Sequence, residues 1–154
     1  MTSVAMRFAK NSTAARRYVL AIVTGVVVSA LPANASEWVR IGTDTSGNSW
    51  MVDRASVLRE DNVVRAWKRI EFARPNPYPP NGKLIAVALW LDLTNCTKRV
   101  VGVKASKLLA SDGSVIATHE DPDERVQWQS VAPDTVVEKS MQFVCDKALT
   151  GPQR

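Results

Sequence analysis

The sequence is poor in the residues from which most enzyme active sites and metal centres are built. Its 154 residues include one histidine, His119, and only two cysteines, Cys96 and Cys145, which do not form a C-x-x-C pair. Glycine-rich phosphate-binding loops, a nucleophile elbow and a zinc-binding helix motif are also missing. We therefore expect no catalytic residues, no metal site and no cofactor, and we predict a non-enzymatic protein.

The remaining polar clusters have simpler interpretations than catalysis. A hydrolase would require other side chains to position His119, and the neighbouring sequence supplies no such arrangement, so we expect an exposed histidine at a strand end. Asp121, Asp123 and Glu124 lack the spacing and the glycine of a calcium-binding EF-hand loop, and they indicate a solvated loop.

An excess of positive charge is confined to the N-terminal segment. The chain carries 20 Lys+Arg and 15 Asp+Glu, for a formal net charge of +5. Residues 1–35 contain four of the cations and no acidic residue, which leaves 16 cations against 15 anions in residues 36–154. Because nucleic-acid binding depends on a basic surface, we expect no nucleic-acid partner.

The first 35 residues have the organisation of a secretory signal peptide. A basic segment is followed by an uncharged apolar run, residues 18–31, then by Pro32 and the small-residue sequence Ala33-Asn34-Ala35. This run is shorter than the ~20 residues that span a membrane, although an uncleaved anchor is the alternative. We predict cleavage after Ala35, which yields a periplasmic or secreted protein without a stable membrane anchor.

Both cysteines lie in the predicted exported part, where the surroundings are oxidising. A structural disulfide between Cys96 and Cys145 is therefore the expected state, and a redox or metal-binding pair is the alternative. A bridge across a loop of this length stabilises a small domain by up to ~4 kcal/mol.

Hydrophobic patterning predicts an antiparallel sheet of about five to seven strands. The clearest strand covers residues 63–73, with a mostly apolar face at even positions and a mostly charged face at odd positions. Residues 84–93 are apolar on both faces, as in a central strand. Further strands are predicted at residues 38–41, 49–52, 99–109 and 115–118. Four prolines within residues 75–80 predict an exposed loop outside the sheet.

The C-terminal segment changes to a helical period. Thr135 and Glu138 match a capping box, so a helix is expected to begin just after Thr135. Its apolar face consists of Val136, Val137, Ser140, Met141 and Val144. We predict one helix of about ten residues, ending near Cys145 and tied to the sheet by the disulfide. The predicted fold class is α+β, in a single domain of residues 36–154.

Tryptophan is unusually frequent, with five in the predicted exported part. Four lie in apolar strand contexts and are expected in the core: Trp38, Trp50, Trp90 and Trp128. Trp67 shares its strand face with Arg65 and Arg69 and is expected at the surface. Together with Tyr78 of the proline loop, these three are the candidate partner-binding residues. The alternative is a small-ligand or glycan-binding envelope protein that uses a tryptophan-rich sheet face.

The order of motifs in the exported part resembles the surface-adhesin protein E family of proteobacteria. That order comprises Trp38, Trp50-Met51-Val52-Asp53 with Ser56-Val57, Trp67-Lys68, Cys96, Lys98-Arg99 and Val144-Cys145. The resemblance covers about residues 37–147.

The resemblance implies an antiparallel sheet with a C-terminal helix held by the Cys96–Cys145 disulfide. It also implies that the protein binds a protein partner, with host extracellular-matrix or plasma proteins as one class and envelope proteins as another. A homodimer is a further form of association, because the edge strands of an open sheet offer unpaired backbone groups.

Overall fold

Eight strands, one α-helix and two short 3-10 helices, Arg54–Ser56 and Asp123–Arg125, make up the regular structure of the described chain. The computed structural model describes residues 35–150, so the predicted signal peptide lies outside it except for Ala35, and its cleavage stays a prediction. The strands are β1 (Trp38–Thr43), β2 (Ser49–Asp53), β3 (Leu58–Glu60), β4 (Val63–Pro77), β5 (Leu84–Asn95), β6 (Val100–Leu109), β7 (Val115–Glu120) and β8 (Gln129–Ser130), followed by the helix α1 (Val136–Thr150). The predicted α+β class is confirmed.

One antiparallel sheet contains all eight strands, in the spatial order β1-β2-β4-β5-β6-β7. Two short strands pair alongside this path, β3 with β4 and β8 with β6, and they raise the number above the predicted five to seven. At three and two residues they are too short to show an alternating pattern in the sequence. β3 pairs with β4 beyond the end of β2, and β8 pairs with β6 beyond the end of β7.

The central strands follow their hydrophobic pattern closely. In β4 the side chains of Val64, Ala66, Lys68 and Ile70 are buried, and the residues between them are half-buried. β5 pairs with β4 on one side and with β6 on the other, which confirms the prediction of a central strand.

The proline-rich segment is only partly a loop, so this prediction is wrong for its first half. β4 continues through Pro77, and its last two residues, Asn76 and Pro77, pair with Ile85 and Leu84. The pairing shifts between Glu71 and Asn76, just where β2 has ended. Because this stretch of β4 has lost its neighbour on one side, prolines can turn their missing N–H groups away from the ladder.

The helix begins where the capping box predicts and is longer than expected, with 15 residues instead of about ten. The N–H of Glu138 donates to Thr135 Oγ1 at 3.1 Å. In return, Glu138 Oε2 accepts the N–H of Asp134 at 2.8 Å, one residue before the usual position. On its apolar face, Val144 and Ala148 join the buried cluster formed with strands β2 and β4.

The disulfide joins the end of β5 to this helix, as predicted. The sulfur atoms of Cys96 and Cys145 lie 2.06 Å apart, and their Cα atoms 5.9 Å apart. Both cysteines pack against the buried cluster, so the bridge fastens the helix at the point where its apolar face meets the sheet.

Replacement of both cysteines by alanine should lower the free energy of unfolding by about 4 kcal/mol, because the bridge closes a loop of 49 residues in the unfolded chain. Urea denaturation of the oxidised protein and of the C96A/C145A variant measures the difference. A thiol reductant should bring the wild-type protein to the level of the variant and leave the variant unchanged. Equal stability of the two oxidised proteins would contradict the prediction.

The helix cap should make stability depend on pH through Glu138. The backbone N–H of Asp134 and the guanidinium of Arg99 lower the pKa of this carboxyl from its ordinary value of 4.5. Its stabilising contribution is therefore complete above 4.5 and disappears as pH falls through the lower pKa of the folded state. The E138Q variant, which keeps a capping side chain, should lose less stability on acidification than the wild type. Denaturation curves from neutral to acidic pH test this, with E124Q as the control outside the cap.

Candidate functional site

The two faces of the sheet are covered unequally. The helix packs on the face formed by Val52, Val64 and Ala66, which we call the helix face. The opposite face we call the open face, and we define it by Met51, Arg65, Trp67, Arg69, Leu89 and Leu91. Strand register places these side chains side by side, because Met51 and Leu89 both pair with Arg69, and Leu91 pairs with Trp67.

All six open-face residues are half-buried, so an apolar strip reaches the surface between two arginines. The Arg69 Nε atom lies 2.9 Å from Glu71 Oε1, and an Arg65 guanidinium nitrogen lies 3.1 Å from Glu60 Oε1. Since the arginine side chains are 32% and 42% exposed, these ion pairs orient the guanidinium groups and add little stability.

Three of the four predicted contact residues, Arg65, Trp67 and Arg69, thus share one face. Tyr78 does not join them. It lies in the turn between β4 and β5, nine residues beyond Arg69. At ~3.3 Å per residue of extended chain, this separation is about 30 Å. Trp67 is half-buried, and its backbone N–H donates to Ser56 Oγ at 2.9 Å, which closes the gap between β2 and β3 along the edge of β4.

The other tryptophans correct the prediction of a tryptophan core. None of the five is among the buried residues, and Trp128 is 42% exposed. Val126, two residues before Trp128, is buried and packs directly against Gly102. A Cβ atom at position 102 would overlap with the Val126 side chain. Trp50 and Trp90 lie on the helix face and Trp67 on the open face, so the tryptophans do not form one binding surface.

On the helix face, Trp50 and Trp90 meet edge to face, with ring centroids 5.8 Å apart. The indole N–H of Trp50 donates to Asp44 Oδ2 at 3.0 Å. Asp44 also accepts hydrogen bonds from the Asn48 side chain and from two backbone N–H groups. The hydrogen bond from Trp50 has the largest effect on the Asp44 carboxyl, and together with the others it lowers the pKa of this group. The loop between β1 and β2 therefore fixes the orientation of Trp50.

This pair of indole rings forms one wall of a pocket of about 250 Å³. Its apolar lining includes Val101, Val103 and Val137. Its polar lining consists of Lys68, Asp92, Asp121, Gln127 and Gln129. The pocket is thus bordered by the central strands, by the start of the helix and by the segment that leads from β7 to β8.

Lys68 and Asp92 form a buried ion pair at this pocket. The Lys68 Nζ atom lies 2.6 Å from Asp92 Oδ2, and the two side chains are 1% and 5% exposed. Burial raises the pKa of Asp92, although the positive charge of Lys68 acts in the opposite direction. The second carboxylate oxygen, Asp92 Oδ1, has no hydrogen-bond partner among the described residues.

Sequence reasoning did not identify this pair. The available signal was a lysine at an even position of the apolar face of β4, together with one aspartate inside a strand that is otherwise apolar on both faces. In an antiparallel sheet these two positions are diagonal neighbours on one face, because Lys68 pairs with Trp90 and Asp92 pairs with Ala66.

His119 lies on the exposed strand β7, as expected, and has one partner. Its Nε2 atom lies 2.9 Å from Asp121 Oδ2, and its side chain is 66% exposed. Within residues 35–150, no three side chains of His, Cys, Asp or Glu are grouped closely enough to hold a metal ion. The same part of the chain contains no helix whose length and hydrophobicity suit a bilayer crossing.

Comparison with known proteins identifies the family. The family model for surface-adhesin protein E matches residues 38–146. The chain belongs to the surface-adhesin protein E family. The resemblance inferred from the order of its motifs is thereby confirmed, and the family supports an exported or surface location for an adhesin-like domain.

Solved structures of protein E from Haemophilus influenzae share the fold of this family member. One aligns with a TM-score of 0.54 at 12% identity and covers 77% of this chain and 91% of the other. Its selenomethionine form aligns with a TM-score of 0.52 at 13% identity, over 73% and 88% of the two chains. No curated protein matches the chain in sequence. At this identity the likeness establishes the fold and leaves the binding residues to be argued from this chain.

Breaking the buried ion pair should destabilise the protein far more than removing both of its charges. Replacement of Lys68 alone by methionine leaves the Asp92 carboxylate buried without its partner and should cost about 3–5 kcal/mol. The double variant K68M/D92L should regain most of this loss, because it removes both charges. Urea denaturation measures both, with R65M as a control whose exposed pair should contribute less than ~1 kcal/mol. A double variant as unstable as K68M would contradict the prediction.

Proposed function

We propose that this protein is an exported, non-enzymatic binding domain whose open face contacts a protein partner. The observation that supports the proposal most directly is the half-exposed apolar strip of Met51, Trp67, Leu89 and Leu91 between Arg65 and Arg69. Contiguous apolar surface of this kind is typical of interaction sites, and tryptophan and arginine are the residues most enriched among binding hot spots.

The charges around the strip indicate what the partner offers. Glu60 and Glu71 form ion pairs with the two arginines of the open face. These ion pairs are exposed, so exchanging the glutamates for carboxylates of a partner costs little free energy. A partner with carboxylates beside apolar side chains would replace these glutamates and bury Trp67. Membership of a surface-adhesin family favours a host extracellular-matrix protein as that partner, and an envelope protein or a second copy of this chain are the alternatives.

The same proposal includes the route out of the cytoplasm. Cleavage after Ala35 would release residues 36–154 into the periplasm or the medium. Intact mass of the protein recovered after export tests the cleavage position directly, and the same measurement reports the disulfide as the loss of two hydrogens.

The pocket on the helix face favours a second function, the binding of a small ligand, at a site separate from the open face. In this form the alternative does not require a tryptophan-rich surface. It requires only Trp50 and Trp90 together with the polar groups beside them.

Replacement of Trp67 by alanine should raise the Kd for the partner at least about tenfold, as the loss of a hot-spot side chain does. The partner is first captured from extracellular-matrix and envelope extracts on the immobilised oxidised protein, and surface plasmon resonance then measures the affinity of each variant. W128A is the matched control, because Trp128 is the most exposed tryptophan and is not one of the residues that define the open face.

A second open-face variant, R69Q, should weaken binding and reduce its dependence on salt, because it removes one charge from the contact. Unchanged affinity of both W67A and R69Q would remove the open face from the proposal. Equal losses in W67A and W128A would show that the effect is not specific to this face.

A further inference from the structure

We propose that the pocket beside Lys68 and Asp92 binds a neutral, hydroxyl-bearing ring of the size of one sugar residue. The inference rests on the second function proposed above, the binding of a small ligand on the helix face, and is independent of the protein-binding surface proposed for the open face. Its structural basis is a cavity whose wall combines two indole rings with a buried, incompletely hydrogen-bonded ion pair.

The size of the pocket suits a single small ring. Its volume of about 250 Å³ lies below the ~300–1,000 Å³ of sites for drug-sized molecules. A monosaccharide or one ring at the end of a glycan fits this space, whereas a longer buried chain does not.

The buried polar atoms require a ligand that both donates and accepts hydrogen bonds. Asp92 Oδ1 has no donor among the described residues and is an acceptor. Lys68 directs its ammonium toward Asp92 Oδ2, and an ammonium carries three N–H groups, so further donors are available on the same nitrogen. Two neighbouring ring hydroxyls match this arrangement, one donating to Asp92 and the other accepting from Lys68, but both protein atoms have almost no accessible surface, so the pocket wall must shift when the ligand binds.

The charge of the site favours a neutral ligand. Lys68 and Asp92 neutralise each other, and the other ionisable residue of the lining, Asp121, contacts His119 Nε2, so an anionic ligand would find no free positive partner in the pocket. Removing an ammonium or a carboxylate from water is far more costly than removing a hydroxyl. Gln127 and Gln129 add neutral amide groups to the lining, which suit hydroxyls better than ions.

The aromatic wall supplies the apolar part of the contact. Trp50 and Trp90 present indole surface to the pocket at a fixed mutual angle of 78°. The hydrogen bond from Trp50 to Asp44 holds its ring in place before a ligand arrives. A ring ligand with C–H groups on one side and hydroxyls at its edge can therefore contact the indoles and the ion pair at the same time.

Indole N–H resonances provide a direct test on the complete exported protein. Each of the five tryptophans gives its own signal in a ¹H–¹⁵N spectrum, and single tryptophan-to-phenylalanine variants assign them. The probes are glucose, galactose, mannose and N-acetylglucosamine. The free amino acids glycine and alanine, which carry an ammonium and a carboxylate, are the charged comparison ligands. We expect saturable shifts of Trp50 and Trp90 with at least one sugar, at a Kd near ~1 mM or weaker for so small a ligand.

Two matched variants test the position without replacing either residue of the ion pair. Val103 lines the pocket and is 39% exposed, so V103W should fill the cavity while the strand keeps its fold. Val115 is 52% exposed on β7 and does not line the pocket, so V115W is the control. The sugar-induced shifts should disappear in V103W and persist in V115W, with urea denaturation confirming that both variants are folded.

The absence of shifts with every sugar would overturn the proposal and leave the pocket as a water-filled cavity. Shifts with glycine or alanine and with none of the sugars would overturn the assigned ligand class. Sugar-induced shifts of Trp67 or Trp128 without shifts of Trp50 and Trp90 would also overturn it, because the ligand would then bind elsewhere. None of these outcomes bears on partner binding by the open face, which W67A tests separately.

Discussion

One helix cannot cover a sheet of this width, and both candidate sites follow from that constraint. At ~1.5 Å per residue, α1 is about 22 Å long, and it packs on one face only. On that face its main contacts are with β1, β2 and β4. The six residues that define the open face remain half-buried, and on the helix face the region over β5 and β6 is bordered by the loop segment before β8.

The partial cover explains why polar and aromatic groups lie where they do. Under the middle of the helix the sheet presents small aliphatic side chains, Val52, Val64 and Ala66, which a helix can approach closely. Beyond the edge of the helix the same face changes to Trp90, Lys68 and Asp92, which need either partners or a ligand. The amphipathic character of Trp and Lys suits such a boundary, where one part of the side chain is covered and another faces a cavity.

Most of the fold could be predicted from the sequence because its elements are long and regular. The alternation in β4, the apolar run of β5 and the capping box at Thr135 each carry a strong local signal, and the two cysteines leave a single pairing. The short strands β3 and β8 could not be predicted, since they form only because β4 and β6 leave backbone groups unpaired at their edges. The continuation of β4 through Pro77 likewise depends on the absence of a neighbouring strand there.

The candidate sites were predictable to a smaller degree, for a reason that differs between the two faces. Arg65, Trp67 and Arg69 occur on alternate positions of one strand, so their common face can be read from a period of two. The pocket, in contrast, joins side chains of β2, β4, β5 and β6 with a loop, and its members are related only by register. Residue type alone assigned the tryptophans to the core, because it cannot distinguish burial under a helix from burial beside one.

The disulfide offsets the free-energy cost of the buried ion pair and of the uncovered open face. A domain of this size has only ~5–15 kcal/mol of net stability, and a buried ion pair with an unpaired oxygen reduces it. The open face withholds further apolar area from the core. Because the Cys96–Cys145 bridge acts mainly on the unfolded chain, it offsets such losses without requiring any change on either candidate surface. A sheet held in this way can keep its fold while its exposed residues diverge, which is consistent with a shared fold at 12% identity.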